Sequence, residues 1–246
     1  MLVAHAAYPA GRIAFCRGDP AGPNEIWEGP DDASEPPVRL TTGWSAQPTY
    51  RIDAGKIAYS FSTDSWSWRT WTMNPDGSGK VQVPLNRVNG PHAWIGLGRL
   101  LIGADHYDWD LYETDMNGSY LEPIRPRPGF SDLGTRGGDV SLDGSRIAHG
   151  IAINGGPGGY ELYAGPLYDQ SGDVVIYPRN GRRQYDRPMF SPDGSWIAFV
   201  DCKGDYGVPP FSPVDIYKVR PDGSELTLLV SDVHNGSAWI DWSPDG

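Results

Sequence analysis

Four side chains able to move protons or neutralise charge, His92, Arg136, Tyr185 and His234, each stand just ahead of a short strand at corresponding points of a recurring pattern. Brought to one place they would supply a base, an acid and a charge neutraliser, the set a polysaccharide lyase uses. Trp44 holds the same relative position, and Asp186 follows Tyr185. A second set falls in the connections between strands: Trp66, then Asp105, His106 and Trp109, then Tyr206. Aromatic faces stack on sugars and planar groups, while Asp and His take hydroxyls, so these residues also suit a binding face for a glycan or a peptide. A glycosidase would need two carboxylates about 5 to 9.5 Å apart in space, which leaves no linear trace. Asp64, Asp105, Asp108, Asp186 and Asp205 would be its candidates.

Against an enzyme, the sequence has no Gly-x-Ser-x-Gly elbow, no His-Glu-x-x-His, no Cys-x-x-Cys and no phosphate-cradling Gly-x-x-x-x-Gly-Lys. No cofactor and no metal site are expected. Two cysteines, Cys16 and Cys202, make neither a disulfide framework nor a Cys-rich zinc site. They read as buried thiols, and a bond between them would require adjacent strands to approach closely.

These residues are positioned by a repeat. A turn leading into a short apolar strand recurs five times, as Gly11-Arg12-Ile13-Ala14-Phe15, Gly55-Lys56-Ile57-Ala58-Tyr59, Gly98-Arg99-Leu100-Leu101-Ile102, Gly144-Ser145-Arg146-Ile147-Ala148 and Gly194-Ser195-Trp196-Ile197-Ala198-Phe199. The first aliphatics of these copies fall 43 to 50 residues apart. A second element, usually an acid, then an aliphatic, then an aromatic, also recurs five times: Glu25-Ile26-Trp27, Arg69-Thr70-Trp71, Asp110-Leu111-Tyr112, Glu161-Leu162-Tyr163 and Asp215-Ile216-Tyr217. Asp-Gly and Asn-Gly turns follow three of them and supply the positive φ that hairpins need. Each unit reads as four antiparallel strands, A to D, and four strands per 40 to 50 residues is a propeller blade. The prediction is a single all-β domain over 1–246, a five-bladed β-propeller of four-stranded antiparallel blades. Residues 1–10 read as an N-terminal extension, and strand A of the first blade is expected from 237–246, closing the ring. The alternative is a fragment of a six-bladed ring.

Strand direction sorts the turns. Asp53, Asp76, Asp143, Asp193, Asp222 and Asp245 fall at the far end, where turn chemistry alone accounts for an Asp. The sites named above gather at the near end, where the B-to-C loops are irregular and the A strands begin around a central channel. Regular strands with irregular loops at one end suit a binding surface on a rigid scaffold.

A formal charge of −11 with 20 scattered Lys and Arg argues against nucleic acid as a partner. No 18-residue apolar run is present, so no membrane insertion is expected, and the N-terminal stretch lacks the pattern of a secretion signal.

Ser191-Pro192-Asp193-Gly194 with Ile197-Ala198-Phe199, and Trp242-Ser243-Pro244-Asp245-Gly246, resemble the WD40-like repeat of the TolB-like propellers. The resemblance covers the whole chain. It implies the propeller fold and points to an extracytoplasmic place of work, periplasmic or secreted. It leaves function open, because that repeat occurs in translocation proteins, peptidase propellers, polysaccharide lyases and signalling proteins. The leading expectation is a non-enzymatic recognition or scaffold propeller binding a protein partner or a glycan. The alternative is a carbohydrate-active enzyme of the polysaccharide lyase kind.

Overall fold

The computed structural model describes residues 3–5, 12–18, 23–30, 34–51, 55–64, 67–85, 90–103, 111–124, 135–152, 160–178, 184–202, 213–233, 240 and 242. At 3–5, 135, 136, 152, 160, 184–187, 202 and 232 it describes the backbone alone. Five four-stranded antiparallel sheets make the fold, the all-β five-bladed propeller that the repeats predict. Blade one is β1 (Val3–His5), β2 (Arg12–Gly18), β3 (Asn24–Pro30) and β4 (Val38–Arg39). Blade two is β5 (Trp44–Tyr50), β6 (Ile57–Ser62), β7 (Arg69–Met73) and β8 (Val81–Gln82). Blade three is β9 (Gly90–Ile95), β10 (Arg99–Gly103), β11 (Leu111–Asp115) and β12 (Glu122–Pro123). Blade four is β13 (Thr135–Val140), β14 (Arg146–Ala152), β15 (Tyr160–Pro166) and β16 (Val174–Tyr177). Blade five is β17 (Gln184–Phe190), β18 (Ile197–Cys202), β19 (Val214–Val219) and β20 (Thr227–Val233). Packing groups the chain into two compact units, one with blades one and two and nearly all of blade three, the other with blades four and five.

The first blade differs from expectation at its A strand. That place is taken by β1, which pairs with β2 through His5 opposite Ala14. The same nine-residue step joins Thr49 to Ala58, Asp139 to Ala148 and Met189 to Ala198, so β1 is an A strand in the common register. The sequence hid it because Ala10-Gly11 stands ahead of Arg12 where the other copies carry Asp-Gly or a like signal. Of residues 237–246, assigned to that strand from sequence, Ile240 and Trp242 are described and neither lies in a strand. Ile240 packs on the cluster of Val200, Val214 and Val233 in blade five.

The Ile-Ala-Phe pattern of the B strands follows from how blades stack. Successive residues of a strand face opposite sides. In the second unit Ala148 of blade four meets Ile197 and Phe199 of blade five, together with Ile176, Tyr177 and Phe190. In the first unit Ala58 of blade two meets Leu100 and Ile102 of blade three, with Val83, Leu85 and Trp94. Bulk on one blade fills the space a small residue leaves on the last, and each such buried aliphatic or aromatic contributes about 1.5–3 kcal/mol. Tyr177 and Tyr217 flank Phe199 with ring centroids 4.8 and 5.6 Å away.

Polar ties join the sheets as well. Tyr50 of blade two donates to Glu28 of blade one at 3.1 Å, and Arg12 donates to both carboxylate oxygens of Glu28. Blade three repeats the arrangement locally, with Arg99 and Tyr120 donating to Glu113 at 2.9 and 2.8 Å.

Candidate functional site

Strand register separates the two ends of every blade, as the sequence suggested. At the far end the A-to-B and C-to-D turns consume their own polar groups. Ser191 donates to Asp193 at 2.6 Å, Ser195 donates through both its backbone N–H and its hydroxyl, and the Trp196 N–H returns to Ser191 Oγ at 2.9 Å. Gly194, at φ +68, closes the turn in the left-handed region. Ser141, Asp143, Ser145 and Arg146 repeat the pattern, and Asp76 and Asp222 each accept from the serine two residues on. The serine hydroxyls and backbone N–H groups hold Asp143 and Asp193 down to about 2. Asp115 is held low in the same way by Ser119. Asp53 and Asp245 lie outside the described residues.

The near end is built differently. Trp44 opens β5, half-buried, opposite Ser62, whose hydroxyl donates to Asp64 at 2.9 Å. Asp64 also accepts from Ser67, so this glycosidase candidate closes a turn. Every A strand of blades two to five then carries a β-bulge, between Ala46 and Thr49, at His92, between Arg136 and Gly138, and between Asp186 and Met189. Bulges re-aim side chains and recur beside functional sites. Gln47 sits in the first bulge at φ +54, a conformation that costs a non-glycine residue about 1 kcal/mol. The Ser60 hydroxyl donates to its Oε1 at 2.8 Å. His92 is the residue skipped between the pairs Ala93–Leu101 and Pro91–Ile102. Its ring lies where a side chain on Gly103 would go: a β-carbon there would stand 2.8 Å from His92 Nε2. Trp44, Gln47 and His92 all belong to the first unit.

In the second unit three strands align one row, Tyr185 opposite Asp201 and Asp201 opposite Asp215. Both aspartates are buried, and Tyr177 donates to Asp201 at 3.2 Å. The corresponding cross-strand pair in blade one is Arg17 opposite Glu25. Blade five thus sets two acids where blade one sets opposite charges, a substitution that disfavours the sheet unless something else compensates. In blade four the B-strand aromatic is replaced by His149, fully buried, stacked on Tyr163 and 3.3 Å from Asp173.

Of the other sequence candidates, Arg136 lies on β13 opposite Gly150, and Tyr185 and Asp186 lie on β17 opposite Asp201 and Val200. Trp66, Asp105, His106, Trp109, Tyr206 and His234 lie outside the described residues, as do Asp108 and Asp205. Cys16 is buried with its thiol 3.9 Å from the Ser45 carbonyl, and Cys202 ends β18. Gln47, Asp201, Asp215 and His149 had escaped the sequence. The one signal available was Pro48 after Gln47, which marks a break in the ladder. Among the described residues no group of three or more His, Cys, Asp or Glu is placed to hold a metal ion.

No protein-family model and no curated protein matches the chain by sequence. By structure it is similar to a putative TolB from Agrobacterium tumefaciens, with a TM-score of 0.76 and 17% identity over 100% of this chain and 86% of that one. TolB from Acinetobacter baumannii superposes with a TM-score of 0.69 and 17% identity, covering 90% of this chain, which spans about half (53%) of that protein's length. The tricorn protease gives a TM-score of 0.62 and 14% identity over 92% of this chain and 22% of its own. At these identities the likeness is one of fold, and the fold is that of the TolB-type β-propellers.

Proposed function

We propose that the chain is a non-enzymatic recognition or scaffold propeller, working outside the cytoplasm, that takes a protein partner or a glycan on the near ends of its blades. The contrast between the two ends carries this reading. Far-end acids are spent within their own turns, whereas the A strands of blades two to five bulge, at Gln47 and His92 among other places, and Trp44 opens β5 half-buried. A strained Gln47 is the kind of outlier that persists where a site over-determines it. Aromatic, amide and imidazole groups on rigid strands suit sugar hydroxyls or peptide groups. The net charge of −11 disfavours nucleic acid, and among the described residues no helix is long and apolar enough to cross a membrane.

The test is a glycan array and a peptide library probed with the purified chain, followed by incubation of each hit with the protein and mass analysis of the ligand. Binding that leaves the ligand intact and that Trp44→Ala or His92→Ala weakens at least tenfold supports the proposal. A newly cleaved or unsaturated sugar moves the chain to the carbohydrate-active enzymes and overturns it.

A further inference from the structure

The described tryptophans of the first unit divide by what their rings touch. Trp27 lies under the Arg17 guanidinium, Trp71 meets Phe61 edge-on with ring centroids 5.6 Å apart, and Trp94 donates to the Thr49 carbonyl at 3.0 Å. Trp44 and Trp68 are half-buried, and among the described residues neither indole has a ring partner or a hydrogen bond. Both stand on one row of blade two. Trp44 opens β5 opposite Ser62 of β6. Arg69 opens β7 opposite Phe61, so Trp68, one residue earlier, falls beside Ser62 on its other flank. Ser62 donates to Asp64, which also accepts from the backbone N–H and the hydroxyl of Ser67, so the connection from β6 is pinned immediately ahead of Trp68.

Successive residues alternate sides: Phe61 and Trp71 meet on one face, which leaves Trp44, Ser62 and Trp68 to the other. The strands β5, β6 and β7 are adjacent, so the two tryptophan α-carbons stand about 10 Å apart, twice the strand spacing. Two residues back along β6 on that face, Ser60 donates to Gln47 Oε1 at 2.8 Å. Among the described residues the half-buried Gln47 makes no hydrogen bond through its amide nitrogen. Ser60 pairs with Thr70 on β7, and the corresponding pairs in blades one, four and five are Cys16–Ile26, Gly150–Leu162 and Val200–Ile216. Blade two thus sets two buried hydroxyls where those three blades set apolar groups.

We infer that this row is a subsite for a neutral, extended β-1,4-linked oligosaccharide, lying across the strands of blade two with its first and third sugars on Trp44 and Trp68. The assignment rests on the near-end reading above and narrows its ligand to one class. Successive pyranoses of a β-1,4 chain turn over, so the first and third present the same C–H face to the same side, and two sugar units span the same length as two strand spacings. An α-1,4 chain coils and cannot lie on both rings. Each indole offers a face for stacking and an N–H for a hydroxyl, and the Gln47 amide supplies another donor. A sugar is favoured over a peptide because β6 lies between β5 and β7, so the row offers ring faces and isolated donors rather than an unpaired backbone ladder. A neutral chain is favoured over an acidic one because the net charge is −11 and Asp64 adjoins the row.

The probe is the β-1,4-linked glucose series from disaccharide to hexasaccharide, titrated by tryptophan fluorescence and calorimetry, with the α-1,4-linked hexasaccharide as control. Affinity should rise at least tenfold between the disaccharide and the tetrasaccharide, because only a chain of three or more sugars meets both rings. The α-linked control should bind at least tenfold more weakly than its β-linked counterpart. Trp68→Ala, with its fold checked by circular dichroism, should weaken hexasaccharide binding at least tenfold and abolish the rise with length, and Trp68→Tyr, which keeps an aromatic face, should retain both. The length series itself needs no variant. No binding of the β-linked series, an affinity independent of length, or a folded Trp68→Ala that binds as wild type overturns the inference. A peptide hit weakened by Trp44→Ala and His92→Ala but not by Trp68→Ala overturns it too, and leaves the near-end reading standing. Hexasaccharide binding that the Asp143→Asn, Asp193→Asn pair abolishes and the Trp44 and Trp68 variants keep overturns both.

Discussion

Replacing Tyr50 by Phe tests the polar tie between blades one and two without opening a cavity, because the ring stays and the hydroxyl alone is lost. Tyr50 and Glu28 are both buried, and the phenol donates to Glu28 at 3.1 Å. A hydrogen bond to a charged group contributes about 1.5–3 kcal/mol. Arg12 still holds both oxygens of Glu28, so the lower end, about 1.5 kcal/mol, is expected at pH 7. Burial first, and the Glu28 carboxylate second, hold the Tyr50 phenol protonated well above the usual tyrosine range. A raised folded value means that this stability is complete below about pH 10 and is lost as pH rises beyond it, by about 1.4 kcal/mol at pH 11. The variant has nothing to titrate at position 50. Burial raises Tyr59 similarly, but it is common to both chains and cancels. Urea unfolding followed by tryptophan fluorescence should therefore show a deficit of about 1.5 kcal/mol at pH 7 that shrinks nearly to zero by pH 11. A deficit below about 0.5 kcal/mol at pH 7, or one that stays constant from pH 9 to 11, refutes the reasoning.

Three further outcomes follow from the same contacts. Ala148→Leu should cost about 1–3 kcal/mol in denaturant unfolding, because Ile197 and Phe199 already fill the space beside Ala148. Asp143 and Asp193, held at about 2 against an ordinary 3.8, stabilise the fold above pH 4 and lose that contribution as pH falls from 4 towards 2. Asp143→Asn with Asp193→Asn should flatten stability against pH in that window, read by circular dichroism. Asp215→Asn should stabilise the protein by about 0.5 kcal/mol by relieving the like-charge pair with Asp201, and a cost above about 1 kcal/mol would show that the two acids are compensated together.

The five B strands were legible because Ile-Ala-Phe states both a strand period and the bulk-on-small rule of blade stacking. β1 was not, since no Asp-Gly signal follows it in the sequence and three residues carry too little pattern. The far-end aspartates could be set aside from sequence because an Asx turn is local, closed by a serine two residues away. The near end resisted for the opposite reason. Gln47 became visible through a backbone conformation that its side chain does not encode. His92 owes its placement to a bulge and to the missing β-carbon of Gly103. Asp201 and Asp215 meet through strand register across a connection more than ten residues long.

The central claim is that recognition belongs to the near end and support to the far end. The most direct test measures binding of one ligand from the glycan or peptide screen to four chains: wild type, Trp44→Ala, His92→Ala and the Asp143→Asn, Asp193→Asn pair. The account predicts at least a tenfold loss for each near-end variant and unchanged affinity for the far-end pair at neutral pH. Affinity lost in the far-end pair and kept in both near-end variants would contradict it.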